Sequence, residues 1–499
     1  MNKLDKAIAY IAPRRAAIRA KARYQIDLLE SRAGYDGAGK GRRNTWVRGP
    51  STSQNTESKA ALSILRGNYR ELVRNDAYAS SALDTIVSNT IGEGIMPVAK
   101  HASSPYKAKL AQELMHEWMQ SLDCDAAGCM NLFGLQSLAM RTESESGEAV
   151  VLRQIKRHKK VRVPLALRLV EADFIDDFRD GTVEGMATVQ GVSFVDNAPA
   201  YVWLHNNHPG DQIYTSGGSK KVSASEVARM YEVRRPGQVR GLPRGVSAMS
   251  RMRNLGEMQD AILEQQKIAA CLVGVITQGE EGKAAGDPLP EKLEPGLFAR
   301  LGVDEDVAFN SPPSLSGQDA IIRKEEHMIA RAWGINYQAL TGDLSNANFA
   351  NGKIGRLDMY TNIRRLRANM VVPMFCKPVA DWFLQAAAIA GFDLDGVTFD
   401  WNPPRTEILN LRDDIPAIIK QVRAGLGSMS GVLRSMGYAD PEVVLRELAE
   451  DFELFDELKL VLDTDPRKTT NSGQMQSTGV NTSPVDIEES EESEEENAD

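Results

Sequence analysis

The chain predicts an α+β fold that is mostly helical, and two observations predict it. Apolar residues recur at helical period along most of the 499 residues, whereas period-two alternation is confined to short runs within 148–205. Within residues 58–245 the helical patterns come first and the strand patterns follow. That order argues against a doubly wound parallel sheet, in which the two would alternate. No internal repeat of solenoid period is present.

In chain order, residues 1–57 read as a basic arm with one short helix over about 14–31. It carries Arg14, Arg15 and Arg19, and a Gly-rich stretch with Arg42 and Arg43 that would pack poorly. Helices are predicted over about 58–74, 77–90, 107–120 and 132–143. Strands follow over 148–155, 165–171, 191–195 and 200–205, with Asp196-Asn197 as a turn signal. After Pro243-Arg244-Gly245 a helix runs to about Ile276, with a stripe of Met252, Leu255, Met258, Ile262, Ala269, Val273 and Ile276. A broken stretch from Gly279 to Pro313, rich in Gly, Pro and acids, interrupts the helical pattern.

The next helix begins near Ser316, with Asp319 at close to capping-box spacing. Ile321, Ile322, Met328, Ile329, Ala332 and Trp333 form its apolar stripe, leaving Arg323, Lys324, His327 and Arg331 on another face. Gly334 is placed to stop it in a left-handed conformation. The segment Thr341–Gly352 then offers Gly, Asp, Ser and Asn, residues that bond their own backbone and tolerate tight turns. A helix over 353–390 holds Pro373 and Pro378, which predicts a kink or break. Asp440-Pro441 starts a last helix whose apolar face is Val443, Val444, Leu445, Leu448, Phe452 and Phe455. Residues 463–499 hold too few apolar groups to fold.

Composition excludes several classes. Hydrophobic content of 42% is that of a globular chain, and four Cys in this length fit a reducing cytoplasm and not a disulfide scaffold. The N-terminal segment, interrupted by Pro13, does not read as a secretory signal, and the apolar run Ile268–Ile276 is too short to span a membrane. Net charge is −9, yet residues 1–50 hold 12 Lys/Arg against 4 acids and residues 485–499 hold 9 acids and no base. Such ends suit different partners.

The sequence carries no catalytic constellation. Gly352-Lys353 fails as a phosphate-binding loop, because Ala347 stands where its first Gly belongs and Ile354 where Ser or Thr would hold magnesium. Cys124 and Cys129, with His116 upstream, lack a second ligand pair and read as structural thiols. His205, His208 and Asp211, or the carboxylates Glu171, Asp173, Asp176 and Asp177, are weak metal candidates and read as solvated turns. No Gly-x-Ser-x-Gly elbow is present. Neither metal nor cofactor is assigned.

Several segments, in order, resemble the lambda-type portal proteins of tailed bacteriophages. They are Leu72-Val73-Arg74-Asn75-Asp76 with Ala77-Tyr78, and Asp84-Thr85-Ile86-Val87-Ser88-Asn89. Ser146-Gly147-Glu148, Val170-Glu171-Ala172-Asp173 and Arg235-Pro236-Gly237-Gln238-Val239-Arg240-Gly241 follow. The most specific is Leu340-Thr341-Gly342-Asp343-Leu344-Ser345 with Asn348. Where the family has Asn-Tyr-Ser-Ser and then a nearby Arg, this chain has Asn348-Phe349-Ala350-Asn351-Gly352-Lys353.

The resemblance implies a non-enzymatic, elongated subunit with an α/β wing, a helical stem, a small clip and a helical crown. Its expected parts are the arm 1–57, wing 58–245, first stem helix 246–278, clip 279–315 and second stem helix 316–340. A tunnel loop 341–353, a kinked helix returning to the wing 354–405, a crown 406–462 and an acidic tail 463–499 complete it. About twelve copies would form a ring at one capsid vertex, assembled in the host cytoplasm and carried in the virion. Double-stranded DNA would pass through it, and the terminase large subunit, neck or head-completion proteins, major capsid protein and scaffold protein would dock on it. Leu344, Ser345, Asn346, Asn348, Phe349, Asn351 and Lys353 are the expected DNA-facing loop residues, although Phe349 reads equally as an anchor for the following helix. Arg323, Lys324 and Arg331 are the stem candidates, or else pair with Glu325, Glu326 or a neighbour's acids. The arm arginines would meet DNA, a neighbour or the capsid, or remain solvated. The competing readings are a metal-dependent nuclease of the phage head and a nucleic-acid-binding protein that forms no ring.

Overall fold

The computed structural model describes residues 52–156, 161–211, 218–270, 274–278, 305–309, 317–345, 348–404, 411–438 and 441–460. The arm residues Arg14, Arg15, Arg19, Arg42 and Arg43, most of 279–315, and the tail 463–499 lie outside them. The chain divides into residues 1–57 and 58–499.

Helices open the fold, each started by the residue type its first turn requires. Helix α1 spans Gln54–Asn75 and α2 spans Ala77–Thr90, where Asp76 accepts the Ala79 N–H at 2.7 Å. After strand β1 (Met96–His101), α3 (Pro105–Gln120) starts with Ser104 as cap and proline in its first turn. Asn131 caps α4 (Leu132–Ser146), accepting from Gly134 at 2.9 Å. The apolar faces of α2, α3 and α4 bury Leu83, Ile86, Leu114, Trp118, Leu135 and Met140 in one core.

Every strand pair among the described residues is antiparallel. β2 (Ala149–Ile155) lies between β3 (Leu165–Glu171) and β9 (Val227–Met230). A second sheet is a meander of β4 (Gly181–Val183), β5 (Met186–Val189), β6 (Val192–Val195), β7 (Ala198–Leu204) and β8 (Lys220–Ser223). Its first three connections are two-residue hairpins with both residues at positive φ: Glu184-Gly185, Gln190-Gly191 and Asp196-Asn197. Such primed turns match the twist of the flanking strands. The third was legible from its residue types. The first two were not, because Glu and Gln seldom adopt positive φ, and β4 and β5 were missed with them.

The two sheets are tied together by buried charge. Glu148, directly after the left-handed Gly147 that ends α4, has no exposure to solvent. Arg229 Nε donates to one of its oxygens at 2.6 Å and Arg240 Nε to the other at 2.8 Å, while Arg66 Nη2 lies 3.9 Å away. Burial opposes ionisation here, but the three arginines outweigh it and hold the Glu148 carboxyl at about 2. Arg240 also donates to the carbonyls of Gln190, in the β5–β6 turn, and Ala172, after β3. Two glycines make this approach possible. A Cβ on Gly241 would lie 1.8 Å from the Gly147 carbonyl oxygen, and a Cβ on Gly147 would lie 2.4 Å from the Leu242 carbonyl carbon.

A second ionic chain reaches the later helices. Arg244 Nη2 lies 3.1 Å from both oxygens of Glu143, and its Nη1 lies 3.3 Å from Glu232. Glu232 also accepts from Arg365 at 2.8 Å. Arg365 lies on α8 (Phe349–Leu366), so the chain runs from α4 through the 231–245 segment to that helix.

The remaining elements revise several expectations. Helix α5 spans Met249–Ala270 and does not reach Ile276. Gly274–Gln278, rich in β-branched residues, forms β10 and pairs with β11 (Glu305–Phe309). The 354–405 segment is not one kinked helix. α8 passes into a π-helical stretch, Arg367–Cys376, then α9 (Lys377–Ile389), and ends in β12 (Val397–Asn402), which pairs with β1. The wider π turn accommodates Pro373, which lacks an N–H and would crowd the preceding turn of an α-helix. Pro378 falls in the first turn of α9, where a missing N–H is tolerated. Last come α10 (Leu411–Arg423), α11 (Met429–Ser435) and α12 (Pro441–Glu457), none of whose described residues is buried.

Glu148→Gln leaves buried guanidinium groups without their counter-charge and should destabilise the fold by about 3–5 kcal/mol. Because the folded-state pKa is depressed from 4.5 to about 2, the carboxylate's contribution is complete above pH 4.5 and is lost as pH falls toward 2. Denaturant unfolding at pH 7 and pH 3 should therefore show the gap between wild type and variant shrinking in acid. An equal gap at both would contradict a keystone role for Glu148.

Candidate functional site

The segment that opens the site is α6 (Gln318–Trp333). Gly317 occupies its N-cap position with no side-chain cap, so no capping box forms there; Ser316 lies outside the described residues. The buried stripe also differs from the expected one. Glu326, Ile329, Ala330 and Trp333 are buried, whereas Ile321 and Met328 are about half exposed. Glu326 is held inside by the Tyr78 hydroxyl, which donates at 2.8 Å and accepts from Gln259 at 3.0 Å. A buried carboxylate with a distant hydroxyl partner leaves no trace in a hydrophobicity pattern.

Gly334, left-handed at φ 75°, ends α6 as expected. A short helix α7 (Tyr337–Thr341) follows, capped by Asn336 and stopped by left-handed Gly342. Helix α2 holds α7 in place. Ser81 and Thr85 hydroxyls donate to the Leu340 and Ala339 carbonyls at 2.9 and 3.1 Å. The Arg367 guanidinium in turn closes the end of α2 by donating to Asn89 and Thr90 carbonyls, each at 2.7 Å.

Helix α8 begins at Phe349, so the expected 341–353 loop is shorter than its composition suggests. Asn348 is the N-cap, its side-chain oxygen accepting the Asn351 N–H at 2.8 Å. Phe349, Asn351 and Lys353 thus belong to helix and not to loop. The Asn that reads as a loop residue is the helix's own starting signal. Leu344 and Ser345 are exposed, Leu344 to 68%. Asn346 lies outside the described residues, as does the Phe349 side chain.

The basic candidates divide by partner. Arg331 reaches Asp358 on α8 at 2.5 Å, Lys353 reaches Asp414 on α10 at 3.0 Å, and Arg323 lies 4.0 Å from Asp343. Lys324 is exposed and forms no ion pair among the described residues. The acids expected to neutralise the stem bases are engaged elsewhere: Glu325 with Arg251 at 2.6 Å, Glu326 with Tyr78. Asp343, Asp358 and Asp414 are the functional neighbours that sequence reasoning missed. Only Asp343 had a signal, its place inside the Leu340–Ser345 motif.

The metal candidates come together only in part. Ligand atoms of Glu171, Asp173 and His208 lie within 4.8 Å of one another. Arg70 Nη2 already sits 2.5 Å from both carboxylates. His208 Nδ1 accepts the Gly210 N–H at 3.0 Å, which leaves the ring proton on the Nε2 that faces Glu171. The pair of carboxylates serves a guanidinium, not a metal. Asp176 faces elsewhere, accepting from Ser219 at 2.6 Å with His205 at 3.8 Å. Cys124 is buried, and burial raises its thiol to about 12, while Cys129 and His116 are exposed.

Asn348→Ala should cost about 1 kcal/mol at the start of α8. Amide exchange in its first turn should quicken, the Asn351 N–H most, with the π-helical stretch unaffected. Unchanged exchange at Asn351 would rule out the cap.

No curated protein matches the chain. Solved structures similar to it include a chain from the neck of a native gene transfer agent particle computed with C12 symmetry. That chain superposes with a TM-score of 0.46 at 15% identity, covering 75% of this chain and 94% of its own. A chain from the virion of that native particle gives 0.43 at 14% identity, covering 83% and 99%. An HK97-family phage portal protein from Corynebacterium diphtheriae gives 0.33 at 11% identity, covering 67% and 94%. Assignment rests instead on sequence: the model of the phage portal protein, lambda family, matches residues 40–367. That span runs from ahead of α1 to the start of the π-helical stretch and takes in the site apart from Asp414, and the chain belongs to the lambda family of phage portal proteins.

Proposed function

We propose that copies of this subunit, about twelve, close into a ring at one capsid vertex and serve as a structural conduit for double-stranded DNA in packaging and ejection. In this reading the terminase large subunit supplies the work, since the chain has no nucleotide-binding motif. Neck proteins dock on the same ring after filling, and capsid and scaffold proteins surround it during assembly.

The observation that carries this reading is the electrostatic state of the α6–α8 segment. A conduit must let DNA slide, and each phosphate contacted by a free Lys or Arg adds salt-sensitive affinity that slows passage. Here Arg331 and Lys353 are each paired with a carboxylate of the same chain, and Arg323 stands near another. Exposed groups of the turn between the helices are uncharged, namely Leu344, Ser345 and Asn348. With a net charge of −9 per copy, a ring would repel the duplex from its walls.

The C-terminal helices support assembly. Ile419, Val443, Leu448 and Leu454 are each more than 40% exposed, with no cover from their own chain among the described residues. Neighbouring copies in a ring would bury such faces. The nuclease reading loses its ground because Arg70 occupies its best carboxylate pair. The non-ring reading predicts tight DNA binding through free bases.

Purified protein should sediment as a particle of about twelve 54.8 kDa chains, with a central hole in negative stain. A stable monomer at micromolar concentration under all conditions would overturn the ring. Replacing Leu344 and Ser345 by glycine, which keeps the Asn348 cap, should spare the ring and impair packaging or retention of DNA. Wild-type packaging and retention in that variant would remove the turn from the channel.

A further inference from the structure

Asp343 sits where α7 gives way to the turn. Its Oδ1 accepts the Ser345 N–H at 2.9 Å and the Ser345 hydroxyl at 2.5 Å. Its Oδ2 accepts the Tyr337 hydroxyl at 2.8 Å, with the Arg323 guanidinium 4.0 Å away. These partners favour the charged form, and the Ser345 bonds foremost hold the carboxyl at about 2. The Tyr337 ring stacks on His327 with centroids 4.3 Å apart and an interplanar angle of 23°. Arg323 and His327 stand one helical turn apart on α6. One carboxylate therefore joins the stem helix, the short helix and the first residues of the turn.

The clamp has a consequence for the residue it encloses. Asp343 bonds to Ser345 across Leu344, which fixes the backbone on both sides of the intervening side chain. Leu344 is accordingly 68% exposed. Left to hydrophobic burial alone, a leucine next to a core that takes in Leu340 and Ile335 would fold inward. Its outward position is imposed by the polar bonds on both sides.

Building on the conduit reading above, we propose that Asp343 is a positioning residue that holds Leu344 out of the subunit surface as an uncharged contact for passing duplex DNA. The contact is suited to the task because an apolar side chain limits the lateral play of the duplex without an ionic grip. The acid itself is masked, its lone pairs taken by Ser345 and Tyr337 and its charge partly offset by Arg323. A free carboxylate at this point would repel the phosphates it is meant to guide.

The test uses the full chain in its assembled form, with three variants: Asp343→Ala, Tyr337→Phe and Leu344→Gly. Ring formation serves as the control for folding. In Asp343→Ala, amide exchange at Ser345 should rise at least about tenfold, the change expected when a bond to a charged acceptor is lost. Retention of packaged DNA should fall to the level of Leu344→Gly. Tyr337→Phe, which removes one donor and keeps the carboxylate, should move both readouts in the same direction by a smaller factor, and it carries the test if the alanine variant fails to assemble.

Unchanged exchange at Ser345 in both clamp variants overturns the clamp. Faster exchange with wild-type DNA retention overturns the positioning role. The Leu344→Gly arm separates this proposal from the reading beneath it. If Leu344→Gly impairs retention and Asp343→Ala does not, the turn is in the channel but Asp343 does not aim it. If neither does, the conduit assignment of the turn falls too.

Discussion

A carboxylate buried among three arginines fixes where this chain can go. Glu148 contacts Arg229 and Arg240 directly and Arg66 at longer range. The carboxylate is the group this cluster depends on, because losing it leaves buried guanidinium charge without its counter-charge away from water. The partners come from α1, β9 and the segment after β9. Holding them at one point fixes α1, the sheet itself and the segment that leads from β9 toward α5. Arg240 extends the constraint to the meander through the Gln190 carbonyl and to the end of β3 through that of Ala172, and the Glu143–Arg244–Glu232–Arg365 chain extends it to α8.

The functional segment inherits its position from this frame. α2 holds α7 through two hydroxyls, Arg367 seals the end of α2, and Arg365 ties α8 to Glu232 after β9. The turn between α7 and α8 is thereby presented on rigid supports at both ends. Its chemistry is consistent with passage and not with capture. Arg323, Arg331 and Lys353 already have carboxylate neighbours, Lys324 alone of the four forms no ion pair among the described residues, and the exposed side chains of the turn itself are short or apolar.

Legibility in the sequence followed the range of the interaction involved. Helices α2, α3 and α4 and strands β2, β3 and β7 were readable because caps, periodicity and alternation act over a few residues. α8 starts four residues ahead of the predicted 353, since Asn348 carries the same signal as a turn residue and as an N-cap. β12 and β1 pair across about 300 positions of sequence, and no hairpin turn joins them. The glycines of Ser146-Gly147-Glu148 and Arg240-Gly241 were visible as parts of a family pattern. Only the structure shows that they lie back to back so that Glu148 and Arg240 can meet. Among the site residues, Leu344 and Ser345 are exposed, whereas pairing of Arg331 with Asp358 and of Lys353 with Asp414 depends on helix packing that no local pattern encodes.

The most direct measurement is a density map of the assembled particle by electron cryomicroscopy. A closed ring with residues 342–348 facing the axis, and with Arg331 and Lys353 still on their carboxylates within each subunit, is the predicted result. A ring whose 342–348 segments face outward, or one lined by unpaired arginine and lysine at that level, would contradict a conduit built to let DNA slide.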